Sequence, residues 1–121
     1  GGHNQDASLV ISETIRTWRK QDPSLTFHLI FGSLNNRQTE SLLAPFAEII
    51  DLVQTVAIPR HESTASPSNT ANIALSLGFN ATPSTSLFSA IQAIISKSSG
   101  KRIILVYGSL YLAGSILEKN C

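Results

Sequence analysis

The chain has 121 residues, of which 42% are apolar and 14% charged, a length and composition that fit one globular domain with its own core. The net charge of +1 gives no electrostatic reason to expect nucleic acid or an acidic membrane surface as a partner. No apolar run approaches the ~20 residues of a membrane-spanning helix. The single cysteine, Cys121, favours a reducing, cytoplasmic location.

Helix and strand signals alternate from the start of the chain. Apolar residues at three- and four-residue spacing predict a helix over Ala7 to Lys20, with Asp6 as its N-cap. An apolar run with a β-branched residue and two aromatics predicts a strand from Thr26 to Phe31. The polar segment Gly32 to Arg37 that follows is predicted to be a loop.

The middle of the chain continues the alternation. Gln38 to Ile49 is predicted to be mostly helical, with a kink or break at Pro45, because proline lacks the N–H that a helix interior needs. Leu52 to Ile58 is predicted to be a strand, and Pro59 to Thr64 an open polar loop.

Two more helices are predicted beyond this loop. Ser66 as N-cap with proline at the first helical position begins one, which ends near Leu77 before Gly78. Phe79 to Thr82 is predicted to be a short strand. Ser84 is the predicted cap of the next helix, which carries apolar residues from Leu87 to Ile95.

The last predicted strand is Ile103 to Tyr107, and Ser109 is then predicted to cap a final helix over Leu112 to Leu117. This order of elements indicates an α/β fold, a Rossmann-like open, mostly parallel sheet with helices on both faces. The chain opens on a helix and contains no Met. We therefore expect residues 1–121 to be a single domain and a fragment, with a strand before Gly1 missing.

In an open parallel sheet, ligands bind beyond the carboxyl ends of the strands. This rule selects four segments for one edge: Gly1 to Asn4, Gly32 to Arg37, Pro59 to Glu62 and Gly108 to Tyr111. Cations and helix N-termini at such an edge favour an anion such as a carboxylate or a phosphate.

Each candidate side chain also has a structural explanation. His3 follows two glycines and fits a frayed terminus, and Arg37 and Arg60 fit surface charges. His28 is predicted to be a packed strand residue, His61 a solvated loop residue, and Tyr111 and Trp18 core aromatics. Ser109 fits a helix cap.

The sequence lacks the common catalytic signatures. Gly100-Lys101 precedes a strand, so it cannot be a phosphate-binding loop, and neither a dinucleotide-binding glycine motif nor a serine nucleophile elbow occurs. The three histidines and one cysteine do not have metal-site spacing. We therefore predict no catalytic residue and no metal ligand in this chain.

Three segments together resemble a known family. GGHN before a helix, FGSLNNR after the first predicted strand and GSLYLAG after the last one are similar to the C-terminal domain of bacterial folylpolyglutamate synthase/dihydrofolate synthase, of the Mur ligase superfamily. The resemblance runs from Gly1 to about Asn120. The family usually has Asp just before the GGHN segment, a position that would precede Gly1.

The resemblance implies an ATP-dependent ligase that is inactive as the isolated chain. ATP phosphorylates a carboxyl group of dihydropteroate or of a folate glutamyl tail and leaves as ADP. The amino group of L-glutamate then attacks the acyl phosphate, which forms an amide and releases phosphate. The family's phosphate loop and its Mg²⁺ ligands lie in an N-terminal ATP-binding domain, over which the C-terminal domain closes.

The resemblance also implies roles for individual residues. His3 matches a histidine near ATP and the incoming amino acid, and Asn4 matches its nucleotide-binding neighbour. Arg37 stands where the family often has Lys, suited to the glutamate carboxylate or to phosphate. Ser109 matches the serine expected to bind that carboxylate together with a helix N-terminus, and Tyr111 shapes the pocket.

The chain departs from the family at two places, Gln5 in place of Pro and Asn36-Arg37-Gln38 in place of Asp-Lys-Asp. Two other functions fit the same residues. One is a non-catalytic α/β module that binds a nucleotide or an anion, and the other is a Mur-type ligase for a different amino acid.

Overall fold

The computed structural model describes the backbone of residues 2–58, 65–108 and 112–118, and the side chains of residues 6–58 and 65–108. The helices are α1 (Gly2–Gln21), α2 (Asn36–Leu43), α3 (Pro67–Ser76) and α4 (Leu87–Lys97), and a short 3₁₀ helix (Ala44–Phe46) follows α2. The strands are β1 (Thr26–Gly32), β2 (Leu52–Thr55), β3 (Ala81–Pro83), β4 (Arg102–Gly108) and β5 (Leu112–Glu118).

Within these ranges the strands form one open sheet in the order β3-β2-β1-β4-β5. The neighbours among β1 to β4 pair in parallel, and β5 pairs antiparallel with β4. The predicted α/β, Rossmann-like class with a mostly parallel sheet is therefore confirmed.

Helices cover both faces of this sheet. The side chains of β1 alternate between the two faces, and each face has its own apolar core. Phe27, Leu29 and Phe31 belong to a core shared with α1, α2 and α3. Ile30 packs on the other face, in a core that includes Ile94 of α4. A strand buried on both sides reads as a continuous apolar run, which is why Thr26 to Phe31 was predictable from sequence.

Local signals in the sequence set most helix ends. The Ser66 side chain accepts a hydrogen bond from the Asn69 N–H, and Pro67 is the first residue of α3, as predicted. Gly78 follows that helix with a φ of 98°, a conformation that costs glycine little. The predicted break at Pro45 is also found, since α2 ends at Leu43 and a 3₁₀ helix contains the proline.

Two predicted N-caps are wrong. Asp6 lies inside α1, because this helix begins at Gly2. The first turn of α1 therefore precedes the apolar residues from which the helix was predicted. Ser86, and not Ser84, caps α4 by accepting from the Ser89 N–H. Ser84 instead donates to Oε1 of Gln54 at 2.6 Å, which fastens the end of β3 to β2.

The predicted final helix is also wrong, because residues 112–118 form β5 along the open side of β4. Its apolar spacing fits a helix, but Gly114 within it lowers helix propensity by about 1 kcal/mol relative to alanine. The exposed edge of β4 offers a full set of backbone partners, and pairing there satisfies both strands. Ser109, the predicted cap, lies outside the described residues.

Within the described part of the chain, no helix is both long enough and apolar enough to cross a bilayer.

Candidate functional site

The carboxyl ends of β1 to β4 lie along one edge of the sheet, since these four strands are parallel. From β1 the chain steps outward to β2 and β3 and then returns through α4 to place β4 on the other side of β1. The direction of winding therefore reverses between β1 and β4. Such a switch point is where open α/β sheets form a ligand crevice, and it is the candidate site here.

Two glycines face each other at this switch point. Gly32 and Gly108, the last residues of β1 and β4, are opposite in the parallel register. A Cβ added to Gly108 would lie 2.2 Å from the carbonyl oxygen of Gly32. No side chain can be accommodated there without moving the backbone, so glycine at position 108 is required for the close approach of the two strand ends.

The segment after β1 is held by its own hydrogen bonds. Ser33 is fully buried, and its hydroxyl donates to the Asn35 carbonyl oxygen at 2.7 Å. Asn35 caps α2 by accepting from the Gln38 N–H at 2.9 Å. The loop predicted over Gly32 to Arg37 thus ends earlier than expected, with Asn36 and Arg37 already in the first turn of α2.

Arg37 lies in the first turn of α2, which follows the carboxyl end of β1. Its side chain is exposed, and among the described side chains it takes part in neither of the two ion pairs, which join Arg19 to Asp51 and Lys101 to Asp22. A cation in the first turn of a helix gains nothing from the helix dipole, whose positive end lies there. An incoming anion would interact favourably with the Arg37 charge and with the positive end of the helix dipole. The position therefore suits recognition of a carboxylate or a phosphate.

The direction of α1 brings its first turn to the same edge. Near the start of the helix, Ser8 contacts Tyr107, the residue before the end of β4. Near its end, Trp18 stacks on Phe27 at the beginning of β1, with ring centroids 6.5 Å apart. The helix therefore runs opposite to the strands, and the backbone of His3 and Asn4 lies beyond Ser8 toward the carboxyl edge.

Other predicted site residues fall outside the described side chains. Ser109 and Tyr111 belong to the segment that joins β4 to β5, and Arg60 and His61 to the one after β2. Of the predicted site segments, the backbone of the His3-Asn4 turn and the start of α2, which carries Arg37, lie at the edge where β4 ends.

Sequence reasoning missed the contact that joins α1 to β4. The hydroxyls of Ser8 and Tyr107 are 2.5 Å apart, and both side chains are buried. Burial raises the pKa of the Tyr107 phenol, and the Ser8 hydrogen bond lowers it by a smaller amount. The signal in the sequence was weak: a serine on the apolar side of a predicted helix and a tyrosine at the end of a strand.

His28 lies toward the opposite end of the sheet, away from the candidate site. It is 1% exposed, as predicted for a packed strand residue, and its Nε2 is 2.9 Å from the Thr26 hydroxyl. Its Nδ1 has no hydrogen-bond partner within the described part of the chain. Burial lowers the pKa of His28 to about 4, with a smaller lowering by Arg102 and a partial offset from the Asp51 carboxylate.

Arg102 is buried beside this histidine and contacts the end of α4. Its guanidinium donates to the carbonyl oxygen of Ser98 at 3.0 Å, at the negative end of the helix dipole. At this end of the sheet, Nε2 of His28 and the guanidinium of Arg102 therefore bind neighbouring residues of the framework. The carboxyl edge is the candidate site because the strand topology forms a crevice there. Among the described residues, no group of three His, Cys, Asp or Glu residues comes together in a way that could hold a metal ion.

Comparison with protein-family models, curated proteins and solved structures returned no match for this chain.

Proposed function

We propose that the chain is the C-terminal domain of an ATP-dependent ligase that adds L-glutamate to dihydropteroate, to folate or to both. The observation that carries the proposal is the switch-point edge. It gathers the first turn of α1, the start of α2 and the end of β4, which are the segments that resemble the folate ligases. They are far apart in the sequence, so a shared edge is what a common ligand would require.

In this proposal each segment meets a different part of the reactants. Arg37 attracts a carboxylate of L-glutamate or the nucleotide phosphates, and Ser109 donates a hydrogen bond to the amino-acid carboxylate, beside Tyr111. His3 and Asn4 approach the nucleotide and the incoming amino acid. Since residues 112–118 form β5, the carboxylate contact at Ser109 is proposed without the helix N-terminus that the resemblance implied.

The remaining chemistry is assigned to an N-terminal domain of the same enzyme. ATP with Mg²⁺ activates the acceptor carboxyl group as an acyl phosphate when bound there. This chain contributes binding and orientation of the amino acid, which brings its amine to the activated carbonyl. We propose a cytoplasmic enzyme, and we expect the isolated chain to be inactive with weak or undetectable ATP affinity.

The proposal is tested with the longer protein that would contain this chain. ADP release is measured with ATP, Mg²⁺ and either dihydropteroate or tetrahydrofolate, with and without L-glutamate. Release that depends on both the pterin substrate and L-glutamate supports the proposal. Activity with another amino acid in place of L-glutamate would instead support a Mur-type ligase of different specificity, and activity with none would reject the ligase.

Arg37 gives a site-level test in the same assay. Arg37→Gln should raise the KM for L-glutamate or for ATP, because a charge-assisted hydrogen bond contributes about 1.5–3 kcal/mol. Arg37→Lys keeps the charge but not the planar fork and should have a smaller effect. Lys97→Gln is the matched control, since Lys97 is an exposed cation in the last turn of α4, at the opposite end of the sheet.

A further inference from the structure

The contact between Ser8 and Tyr107 links two of the segments that the proposed function brings together. Tyr107 immediately precedes Gly108 and Ser109 in the chain. Ser8 follows Asn4 by four residues in α1, about 6 Å along the helix axis. The hydrogen bond therefore connects the helix that carries His3 and Asn4 to the strand that ends at Gly108.

Tyr107 is well placed to fix the position of α1, because its ring is itself held. The ring packs against Phe31 with centroids 6.3 Å apart and against Phe46 with centroids 5.9 Å apart, in tilted and edge-on geometries. Phe31 is the penultimate residue of β1, and Phe46 ends the 3₁₀ helix. The position of the phenol oxygen is therefore fixed by the packing of its ring against Phe31 of β1 and Phe46 of the 3₁₀ helix.

The Ser8 hydroxyl of α1 contacts the phenol oxygen of Tyr107 in β4, between the helical layer and the sheet. It is fully buried and 2.5 Å from the phenol oxygen. Ser12, on the next turn of α1, is equally buried but donates to the Leu9 carbonyl oxygen of its own helix. The Ser8 hydroxyl therefore contacts a second element, whereas the hydrogen bonds of Ser12 to Leu9 and Arg16 lie within α1.

We propose that the Ser8–Tyr107 hydrogen bond is a positioning contact that sets the His3-Asn4 turn relative to Gly108 at the end of β4, and thereby the affinity for L-glutamate. The inference rests on the proposed function for its ligand. The positioning itself is a property of the fold and is tested separately. Neither side chain is placed in contact with substrate, so both are positioning residues.

The first experiment uses amide NMR spectra of the 121-residue chain. Ser8→Ala should shift the Gly108 and Ser109 amide signals, and Tyr107→Phe should shift those of His3 and Asn4. Ser12→Ala is the matched control and should leave all four in place. If neither Ser8→Ala nor Tyr107→Phe alters the signals across the contact, the positioning role is overturned. Should one variant fail to fold, the other decides the result.

The second experiment measures kinetics in the longer enzyme. Tyr107→Phe and Ser8→Ala should each raise the KM for L-glutamate roughly 3- to 10-fold, as expected for one lost hydrogen bond, with kcat and the KM for ATP nearly unchanged. The double variant should be no worse than either single variant, because both remove the same contact. Ser12→Ala should match the unaltered enzyme.

The outcomes separate the two proposals. An unaltered enzyme without glutamate-dependent ADP release contradicts the proposed function, while the NMR shifts still decide whether the contact positions α1. An active enzyme in which both variants keep the original KM for L-glutamate overturns this inference and leaves the proposed function standing. Additive effects in the double variant would also overturn it, because they would show that the two hydroxyls act independently.

Discussion

Lowering the pH should destabilise the fold through His28, with the loss confined to a defined window. The folded protein holds the pKa of His28 at about 4, whereas an accessible histidine titrates near 6.5. Between these values the unfolded chain binds a proton that the folded chain refuses, so stability falls as the pH falls. The full contribution is present above pH 6.5 and is lost by about pH 4.

The size of the loss follows from the same two values. Each pH unit in the window is worth about 1.4 kcal/mol, so the free energy of unfolding should fall by at most about 3 kcal/mol. That is a large part of the 5–15 kcal/mol typical of a whole domain. Arg102 and Arg19 oppose the charged form and Asp51 favours it, but burial dominates.

Urea unfolding of the chain at pH 7.5, 6.5, 5.5 and 4.5 measures this loss, and His28→Phe isolates its source. The variant loses the Thr26 hydrogen bond and should be less stable by about 1 kcal/mol at pH 7.5, but its stability should change much less between pH 6.5 and 4.5. Asp22→Asn is the control, because the Lys101 contact lowers the pKa of Asp22 to about 2 and its contribution is lost only as the pH falls from 3.8 toward 2. A flat profile in the unaltered chain, or an equal slope in His28→Phe, would refute the reasoning.

Four further substitutions test the framework and the site. Gly108→Ala should cost about 1–3 kcal/mol or more, because the added carbon meets backbone at 2.2 Å; urea unfolding would contradict this if it showed no loss. Ser66→Ala should cost about 1 kcal/mol in thermal unfolding through the lost helix cap, whereas the exposed neighbour Ser68→Ala should cost almost nothing. Gln54→Leu should cost about 1–3 kcal/mol, since hydrogen bonds to two hydroxyls on the β3 side disappear, and unchanged stability would rule that network out as a stabilising feature. In the longer enzyme, Ser109→Ala should raise the KM for L-glutamate by the equivalent of about 1.5–3 kcal/mol, and an unchanged KM and kcat would count against the assignment.

The elements that were predictable from sequence are those in which local and tertiary signals agree. β1 and β4 are apolar runs in the centre of the sheet, where most of their residues are buried. The start of α3 combines the capping side chain of Ser66 with Pro67, whose φ is already helical. The carboxyl edge as the place of a ligand site was inferred from topology alone and stays a prediction.

The errors arose where tertiary pairing outweighed local pattern. Residues 112–118 have helical spacing, yet the unpaired edge of β4 makes a strand more favourable there. Ser84 has the chemistry of a cap, but the buried amide of Gln54 takes its hydroxyl. The Ser8–Tyr107 contact joins residues 99 positions apart, a separation that no local pattern encodes.

The most direct test of the central claim is to look by mass spectrometry for a glutamylated folate product of the proposed longer enzyme. Purified protein is incubated with ATP, Mg²⁺ and dihydropteroate or tetrahydrofolate, with L-glutamate present or omitted. We expect a product heavier by one glutamyl residue, formed only when L-glutamate is present and at lower efficiency in Arg37→Gln and Ser109→Ala. An unmodified pterin in every reaction, or a product that contains another amino acid, would contradict the assignment of this edge as a glutamate site.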